Sequence, residues 1–339
     1  MKAVVWQGPN SMTVEQLPDP EPVAGEVVVR VEAAGICGSD VTSYLGRMGT
    51  SKPGQIRGHE FAGTVARTVD GDADWLGLPV AVNPILSCGR CRACLRGLDN
   101  LCPDQTSLGI QRPGGFAEFV RVPTRNLVAL PPGVELRLAA ATEPLAQAIH
   151  DVRLALRDGP VDTALVIGAG AIGLLVVQAA HLQGIEHIAV LEPNEARHDA
   201  ALSAGAAAAF TDRAAAATHA AGNGVPGMDA VFDVVGTAGT RQDAVDWTAR
   251  GGSAVFVGLH DDASALAWRD ALRREITVRG SNASAREDLR LAADWLVNGL
   301  AGLPASVPEP LDRAPEIFAA LASGEPASGK VLLVPAPSR

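Results

Sequence analysis

Cys88, Cys91, Cys94 and Cys102 form a C-x2-C-x2-C-x7-C pattern, preceded by Ser87 and threaded with Gly89, Arg90, Arg92 and Gly97. Four thiolates this close in sequence can surround one tetrahedral Zn2+ at about 2.3 Å per Zn–S bond, and the arginines offset the negative charge of the four sulfurs. Such a site is closed, so its role is structural. An iron–sulfur cluster is the competing reading, but its usual spacings differ, and disulfides across two-residue gaps are geometrically awkward.

The fifth cysteine, Cys37, lies in Gly35-Ile-Cys-Gly-Ser-Asp40, and Gly58-His59-Glu60 follows it. Taken singly, a cysteine between small residues is more often a buried apolar side chain than a ligand, and a lone His-Glu pair is a weaker signal still. Together they offer sulfur, nitrogen and oxygen, the mixed donor set of an open catalytic zinc that keeps one position for water or substrate. Zinc there would bring the pKa of a substrate hydroxyl toward neutrality, as it does that of water. Ser39, two residues from the thiolate, is placed to take the proton, and Asp40 to hold the ring N–H of His59. A further carboxylate, Glu143 in Ala141-Thr-Glu-Pro-Leu-Ala146, is equally well explained as an acid at a helix N-terminus. It shares a helix face with Gln147 and His150. The other histidines, at 181, 187, 198, 219 and 260, have no second ligand at metal spacing and read as structural or surface residues.

A third constellation concerns a nucleotide. Gly168-Ala-Gly-Ala171-Ile172-Gly173 follows the apolar run Ala164-Leu-Val-Ile167 and opens a helical stretch, the context in which G-x-G-x-x-G binds a pyrophosphate on backbone amides. Glu192 ends the next strand, where a ribose-binding acid belongs. It would accept hydrogen bonds from the adenosine 2′-hydroxyl and repel a 2′-phosphate, which favours NAD over NADP, although Arg197 is placed to greet a phosphate.

These residues need two different scaffolds. Up to Pro144 the chain alternates in short strands punctuated by glycine and proline: VVW, MTVEQL, Glu26–Glu32, Gly63–Val69, Leu78–Val82 and Gly115–Val122. From Pro144 the period changes. A helix is followed by strands at 164–167, 187–191, 230–235 and 253–258 alternating with helices, the pattern of a doubly wound parallel sheet. The alanine runs 206–209 and 214–217 are expected in or between helices. Beyond 276–278 come helices at 285–298 and 315–323 and a final strand, 330–334; periodicity does not say which sheet they join. The fold class is therefore α/β, and 339 residues at 47% hydrophobic content suffice for two cores.

A formal charge of −10 argues against a nucleic-acid partner. The apolar run 164–180 contains three glycines and is marginal for a membrane span; a buried strand, turn and helix fits it better. The amino terminus does not read as a signal peptide, so the cytoplasm is the expected compartment.

Cys37-Gly-Ser-Asp40, Gly58-His-Glu60, the four-cysteine lobe, Glu143-Pro-Leu-Ala146 and the glycine fingerprint, in this order, resemble the zinc-containing medium-chain dehydrogenases over essentially the whole chain, and among them the polyol and threonine dehydrogenases. The resemblance implies a GroES-like catalytic domain over 1–144 and 285–339 carrying two zincs, and a Rossmann NAD-binding domain over 145–284. It makes Cys37, His59 and Glu60 catalytic zinc ligands, with Glu143 bound directly or through water, and Ser39 the proton relay. Gly168, Gly170, Ala171, Ile172, Gly173, Glu192 and Arg197 match the cofactor site, and Val235, Gly236, Val257, Gly258 and Leu259 the strand ends flanking ribose and nicotinamide. A homodimer or homotetramer joined near the strand 253–258 is implied, as is a secondary alcohol (polyol, sugar-derived alcohol, diol or amino alcohol) interconverted with its ketone.

The chain departs from the family pattern at three places. Thr42 stands where many members place a relay histidine. The loop Gly46–Gly54 is short and glycine-rich. After Arg279-Gly280, where sorbitol dehydrogenases carry Arg-Tyr for the polyol, the sequence reads Asn282-Ala-Ser284, which makes sorbitol itself a poor candidate. The missing histidine motivates one alternative, a zinc- and NAD-binding regulatory protein without catalysis. A zinc-free quinone or enoyl reductase of the same superfold is a second alternative, and the cysteine lobe argues against it.

Overall fold

The computed structural model describes residues 1–339 apart from 70, 223–225, 304, 326–328 and 336–339. The chain divides into two compact units, Met1–Pro144 with Ala285–Arg339, and Leu145–Ser284.

The first unit is built on a seven-stranded sheet. Leu127–Ala129, Pro79–Val82, Glu60–Arg67, Glu26–Gly35, Lys330–Val334 and Ser306–Pro310 lie side by side in that order, and Phe119–Pro123 also pairs with Glu26–Gly35. Val27, Val29 and Val31 alternate along the long central strand and enter one core with Phe61, Val65, Phe116, Phe318 and Leu333, the period-two pattern of a sheet with a buried face. The last strand returns to this sheet, pairing Leu332 with Gly35 and Leu333 with Ala34 antiparallel, which answers the question periodicity left open. A smaller sheet carries Ser11–Gln16, Lys2–Gly8 and Gln55–Ile56; its Val5–Ile56 pairing anchors the chain just before Gly58-His59-Glu60.

The second unit is a six-stranded parallel sheet. Numbered along the chain, Thr163–Ile167, His187–Leu191, Ala208–Phe210, Met228–Asp233, Thr248–Phe256 and Thr277–Gly280 stand in the order 3-2-1-4-5-6, the doubly wound order of a Rossmann fold. Leu165, Ile167, Leu191, Val231 and Ala254 form its core with Ala216, Ala220 and Ala244 from the covering helices.

One local expectation is sharpened here and one corrected. The alanine run 206–209 lies between the helices His198–Ser203 and Arg213–Gly222, as expected, and contributes a strand, Ala208–Phe210, because pairing with Ala189–Leu191 overrides the helix propensity of alanine. The strand expected over 230–235 is Met228–Asp233; it stops at Asp233 because that carboxylate accepts the N–H groups of Val235 and Gly236 and so turns the chain.

Candidate active site

Three strand ends of the first unit meet around Glu60. Glu60 opens the strand Glu60–Arg67 opposite Gly35, the last residue of Glu26–Gly35, and Lys330 opens the strand Lys330–Val334 beside them. Gly35 must be glycine, because a Cβ there would stand 2.2 Å from Glu60 Oε2 and 3.0 Å from Lys330 Cε. Two residues beyond Gly35, Cys37 precedes the helix Gly38–Tyr44, which carries Ser39 and Asp40 in its first turn.

This arrangement gathers the sulfur of Cys37, a ring nitrogen of His59 and a carboxylate oxygen of Glu60 within 4.8 Å of one another. His59 and Glu60 are buried, and Cys37 is half-buried. Fully buried Asp40 accepts the Cys37 N–H at 3.1 Å through Oδ2 and stands 3.7 Å from His59 Nδ1 through Oδ1. Lys330 Nζ donates to Glu60 Oε1 at 2.7 Å and lies 2.5 Å from Oε2, with both side chains buried. Burial opposes charge on Lys330, but Glu60 and Cys37 outweigh it and raise its pKa above the ordinary lysine value. Burial likewise works against a charged His59, yet Asp40 and Cys37 lift its pKa well above the usual imidazole range. Those same groups push Asp40 below the carboxylate range despite its burial, with His59 first, then Arg57 and the Cys37 N–H.

A thiol, an imidazole and a carboxylate brought this close, with the imidazole drawn toward a proton by its neighbours, form a site that a divalent cation would satisfy. Zinc fits this donor set. Glu143 lies outside the group of mutually close donors. Burial, against the pull of His59 and with the push of Glu60, raises its pKa to about 7, so its carboxyl belongs to the same electrostatic neighbourhood. Ser39 is half-buried beside Cys37. Thr42 Oγ1 donates to the Gly38 carbonyl, so the side chain that replaces the family histidine is spent on its own helix.

The four lobe cysteines also converge, all four sulfurs within 4.8 Å of one another. Cys91 Sγ is 3.4 Å and Cys88 Sγ 4.0 Å from Cys94 Sγ, close to the roughly 3.8 Å that separates sulfurs placed 2.3 Å from one tetrahedral metal. All five cysteines are free. The N–H groups of Arg90 and Cys91 bring the Cys88 thiol down to about 6. Cys102, drawn down by the Cys88 N–H, is nonetheless pushed up to about 11 by burial and by the neighbouring sulfurs of Cys88 and Cys94. Sulfurs this crowded resist ionising together unless a cation joins them. Among the described residues the lobe and Cys37-His59-Glu60 are the two such donor groups.

In the second unit Gly170 caps the helix Ala171–Leu182, and Ala171, Ile172 and Gly173 open it, leaving their N–H groups without intrahelical acceptors. Gly173 lets helix and strand approach: a Cβ there would stand 1.9 Å from the Gly168 carbonyl. Glu192 follows the strand His187–Leu191 and braces this loop, its two oxygens each accepting a backbone N–H at 2.9 Å, from Ala169 and Asn194. Arg197 Nη1 lies 3.5 Å from Glu192. Gln147 is engaged by Asp151 and Ser281.

The comparisons agree with this geometry. Residues 23–132 match the alcohol dehydrogenase GroES-like domain, and residues 171–298 match the zinc-binding dehydrogenase domain. The chain is 34% identical to a 2-dehydro-3-deoxy-L-galactonate 5-dehydrogenase from Pseudoalteromonas atlantica over 88% of each chain. It belongs to the zinc-binding alcohol dehydrogenase family. Two solved structures resemble it closely. One is a zinc-binding dehydrogenase from Sinorhizobium meliloti 1021 bound to NADP (TM-score 0.88, 31% identity, 98% of this chain and 99% of that one). The other is the alcohol dehydrogenase rspB from Escherichia coli CFT073 complexed with NADH (TM-score 0.89, 28% identity, 98% and 99%). The family, the two-part α/β fold and the oxidoreductase class expected from the motifs are therefore established.

Three residues of this zinc-binding dehydrogenase escaped sequence reasoning. Lys330 reads as the start of an apolar strand, and nothing near it in sequence announces Glu60. Arg57, completely buried, reads as a loop residue ahead of the histidine. Asp233 reads as a strand end, yet its side chain accepts N–H groups from Val235 and Gly236 and the hydroxyl of Thr240, while its carbonyl accepts Val257 and Gly258. It thereby fixes the two loops expected to flank the nicotinamide. The signal available was an acid ending a strand just before Val-Val-Gly.

Proposed function

We propose that the chain interconverts a secondary alcohol and its ketone, with a sugar-acid or polyol substrate and a nicotinamide cofactor. The observation that carries this reading is the convergence of Cys37, His59 and Glu60 within 4.8 Å beside a second, all-cysteine site. Cys37, His59 and Glu60 would hold the catalytic zinc, with Glu143 available from nearby, and Cys88, Cys91, Cys94 and Cys102 the structural one. The catalytic zinc supplies acidity to the substrate hydroxyl. Asp40, 3.7 Å from His59 Nδ1, would orient the ring for the metal, Lys330 keeps Glu60 in place, and Ser39 would receive the hydroxyl proton.

The N-terminal amides at Gly170–Gly173 would carry the pyrophosphate, and Glu192 the adenosine ribose, with Val235, Gly236, Val257 and Leu259 around the nicotinamide half. Glu192 favours NAD. Two observations support NADP as a second reading: Arg197 lies beside Glu192, and a relative of similar fold is bound to NADP. The galactonate-type relative motivates the substrate class.

A cytoplasmic location, which keeps five thiols reduced for metal binding, and a homodimer or homotetramer complete the proposal. No helix among the described residues is long and apolar enough to cross a membrane. A screen of cofactor reduction over sugar acids, polyols, diols and hydroxy amino acids, run with NAD and with NADP, tests the proposal. Turnover of a secondary alcohol with a higher kcat/KM for NAD is the expected result, and turnover of none of these classes with either cofactor would defeat it.

A further inference from the structure

Arg57 is the largest fully buried side chain among the described residues, with 0% exposure. Taking a guanidinium out of water costs several kcal/mol unless its partners are well placed, and a well-packed apolar residue usually fills such a position at no loss of stability. Core filling alone therefore does not explain an arginine two residues from His59.

Its contacts suggest what it does. Arg57 Nη2 donates to Ser43 Oγ, and Arg57 Nε lies 3.9 Å from Asp40 Oδ1. Asp40 and Ser43 are one turn apart on the helix Gly38–Tyr44, so the planar guanidinium bridges two positions on one helix face. Asp40 Oδ1 also stands 3.7 Å from His59 Nδ1. These atoms, Asp40 Oδ1, Arg57 Nε and His59 Nδ1, have no hydrogen-bond partner among the described residues, and the two nitrogens stand 3.9 and 3.7 Å from the one oxygen. Two nitrogens thus lie close to one carboxylate oxygen, within ion-pair distance of it. Ser43 Oγ is in turn 2.7 Å from Ser51 Oγ and donates to Met48 Sδ, so the chain of contacts runs from the glycine-rich loop 46–54 through Arg57 to a metal ligand.

We propose that Arg57 is a positioning residue of the metal site: it holds the Asp40 carboxylate against His59, thereby fixing the ring for metal binding, and ties that ligand to the loop carrying Ser51. The inference rests on the reading of Cys37, His59 and Glu60 as metal ligands.

The test is metal affinity in the full chain. Metal-free protein is titrated with zinc against a chromophoric chelator, and reconstituted with Co2+ to record the d–d absorption of the Cys37 site; the four-cysteine lobe serves as internal control. Arg57→Leu is expected to weaken zinc binding at the Cys37 site by about 10- to 100-fold, the usual cost of losing an outer partner of a ligand, and to shift the Co2+ band, with lobe affinity unchanged. Arg57→Lys, which keeps the charge but not the fork, should fall between. In an Asp40→Asn background, Arg57→Leu should add little, because its target is gone.

Should Arg57→Leu alone fail to fold, the double variant Asp40→Asn/Arg57→Leu, which removes both buried charges, is expected to fold and to hold zinc as weakly as Asp40→Asn. Wild-type affinity and an unchanged Co2+ spectrum in Arg57→Leu would overturn the inference, as would an undiminished effect in the Asp40→Asn background or a double variant that does not fold. Binding of a single zinc by the wild type, at the lobe, would overturn the metal reading itself.

Discussion

Replacing Lys330 by methionine isolates the contribution of the pair that seats Glu60. Lys330 and Glu60 are joined at 2.7 and 2.5 Å with side-chain exposures of 6% and 1%, so water does not replace the lost ammonium. Breaking a buried pair by removing one partner costs about 3–5 kcal/mol, most of it the uncompensated charge left behind. For a unit of about 200 residues, each kcal/mol moves the midpoint by about 2–4 °C, giving a fall of about 6–20 °C in thermal unfolding of the metal-free protein. Bound zinc supplies a second partner for Glu60, so the loss is smaller when the protein is zinc-loaded. Glu60→Gln/Lys330→Met, which removes both charges, should recover most of the stability while losing affinity for zinc at the Cys37 site. A loss below about 1 kcal/mol in the metal-free single variant, against the 3–5 kcal/mol a broken buried pair costs, would refute the reasoning. So would a double variant no more stable than the single one.

Cys94→Ser removes the sulfur that lies 3.4 Å from that of Cys91 and 4.0 Å from that of Cys88; metal analysis should show one zinc fewer per chain, and limited proteolysis should cut the lobe faster, since structural zinc binding is folding energy. Asp233 has a pKa raised by burial against the opposing hydrogen bonds of Gly236, Val235 and Thr240. Its protonated form is therefore favoured by folding, and its contribution to stability is greatest below pH 3.8 and declines as pH rises through the folded value. Denaturant unfolding of wild type and Asp233→Asn, compared from pH 3.8 upward, should show the difference shifting against the wild type over that window and then levelling; a constant difference would count against the assignment.

How legible each part was depends on how locally its contacts are made. The structural lobe could be read from spacing because its ligands come from one short loop, Cys88–Cys102. The proposed catalytic set was visible only in combination, because Cys37 follows one strand while His59 immediately precedes, and Glu60 opens, its neighbour. Lys330 was unreadable: it meets Glu60 across 270 positions only because the last strand pairs beside Glu26–Gly35. The helix-forming bias of alanine hid the edge strand Ala208–Phe210, where parallel pairing decides the conformation. Glu143 was legible only through the order of motifs along the chain, which implied a zinc ligand bound directly or through water; its carboxyl stands outside the close group of Cys37, His59 and Glu60.

The central claim is that Cys37, His59 and Glu60 form the metal site at which substrate reacts. Zinc content and turnover measured together on Cys37→Ser test it directly. The account predicts that the variant keeps the zinc of the four-cysteine lobe, loses the other, and loses turnover with the substrate found by screening. A variant that retains both zincs, or that turns over at the wild-type rate, would contradict it.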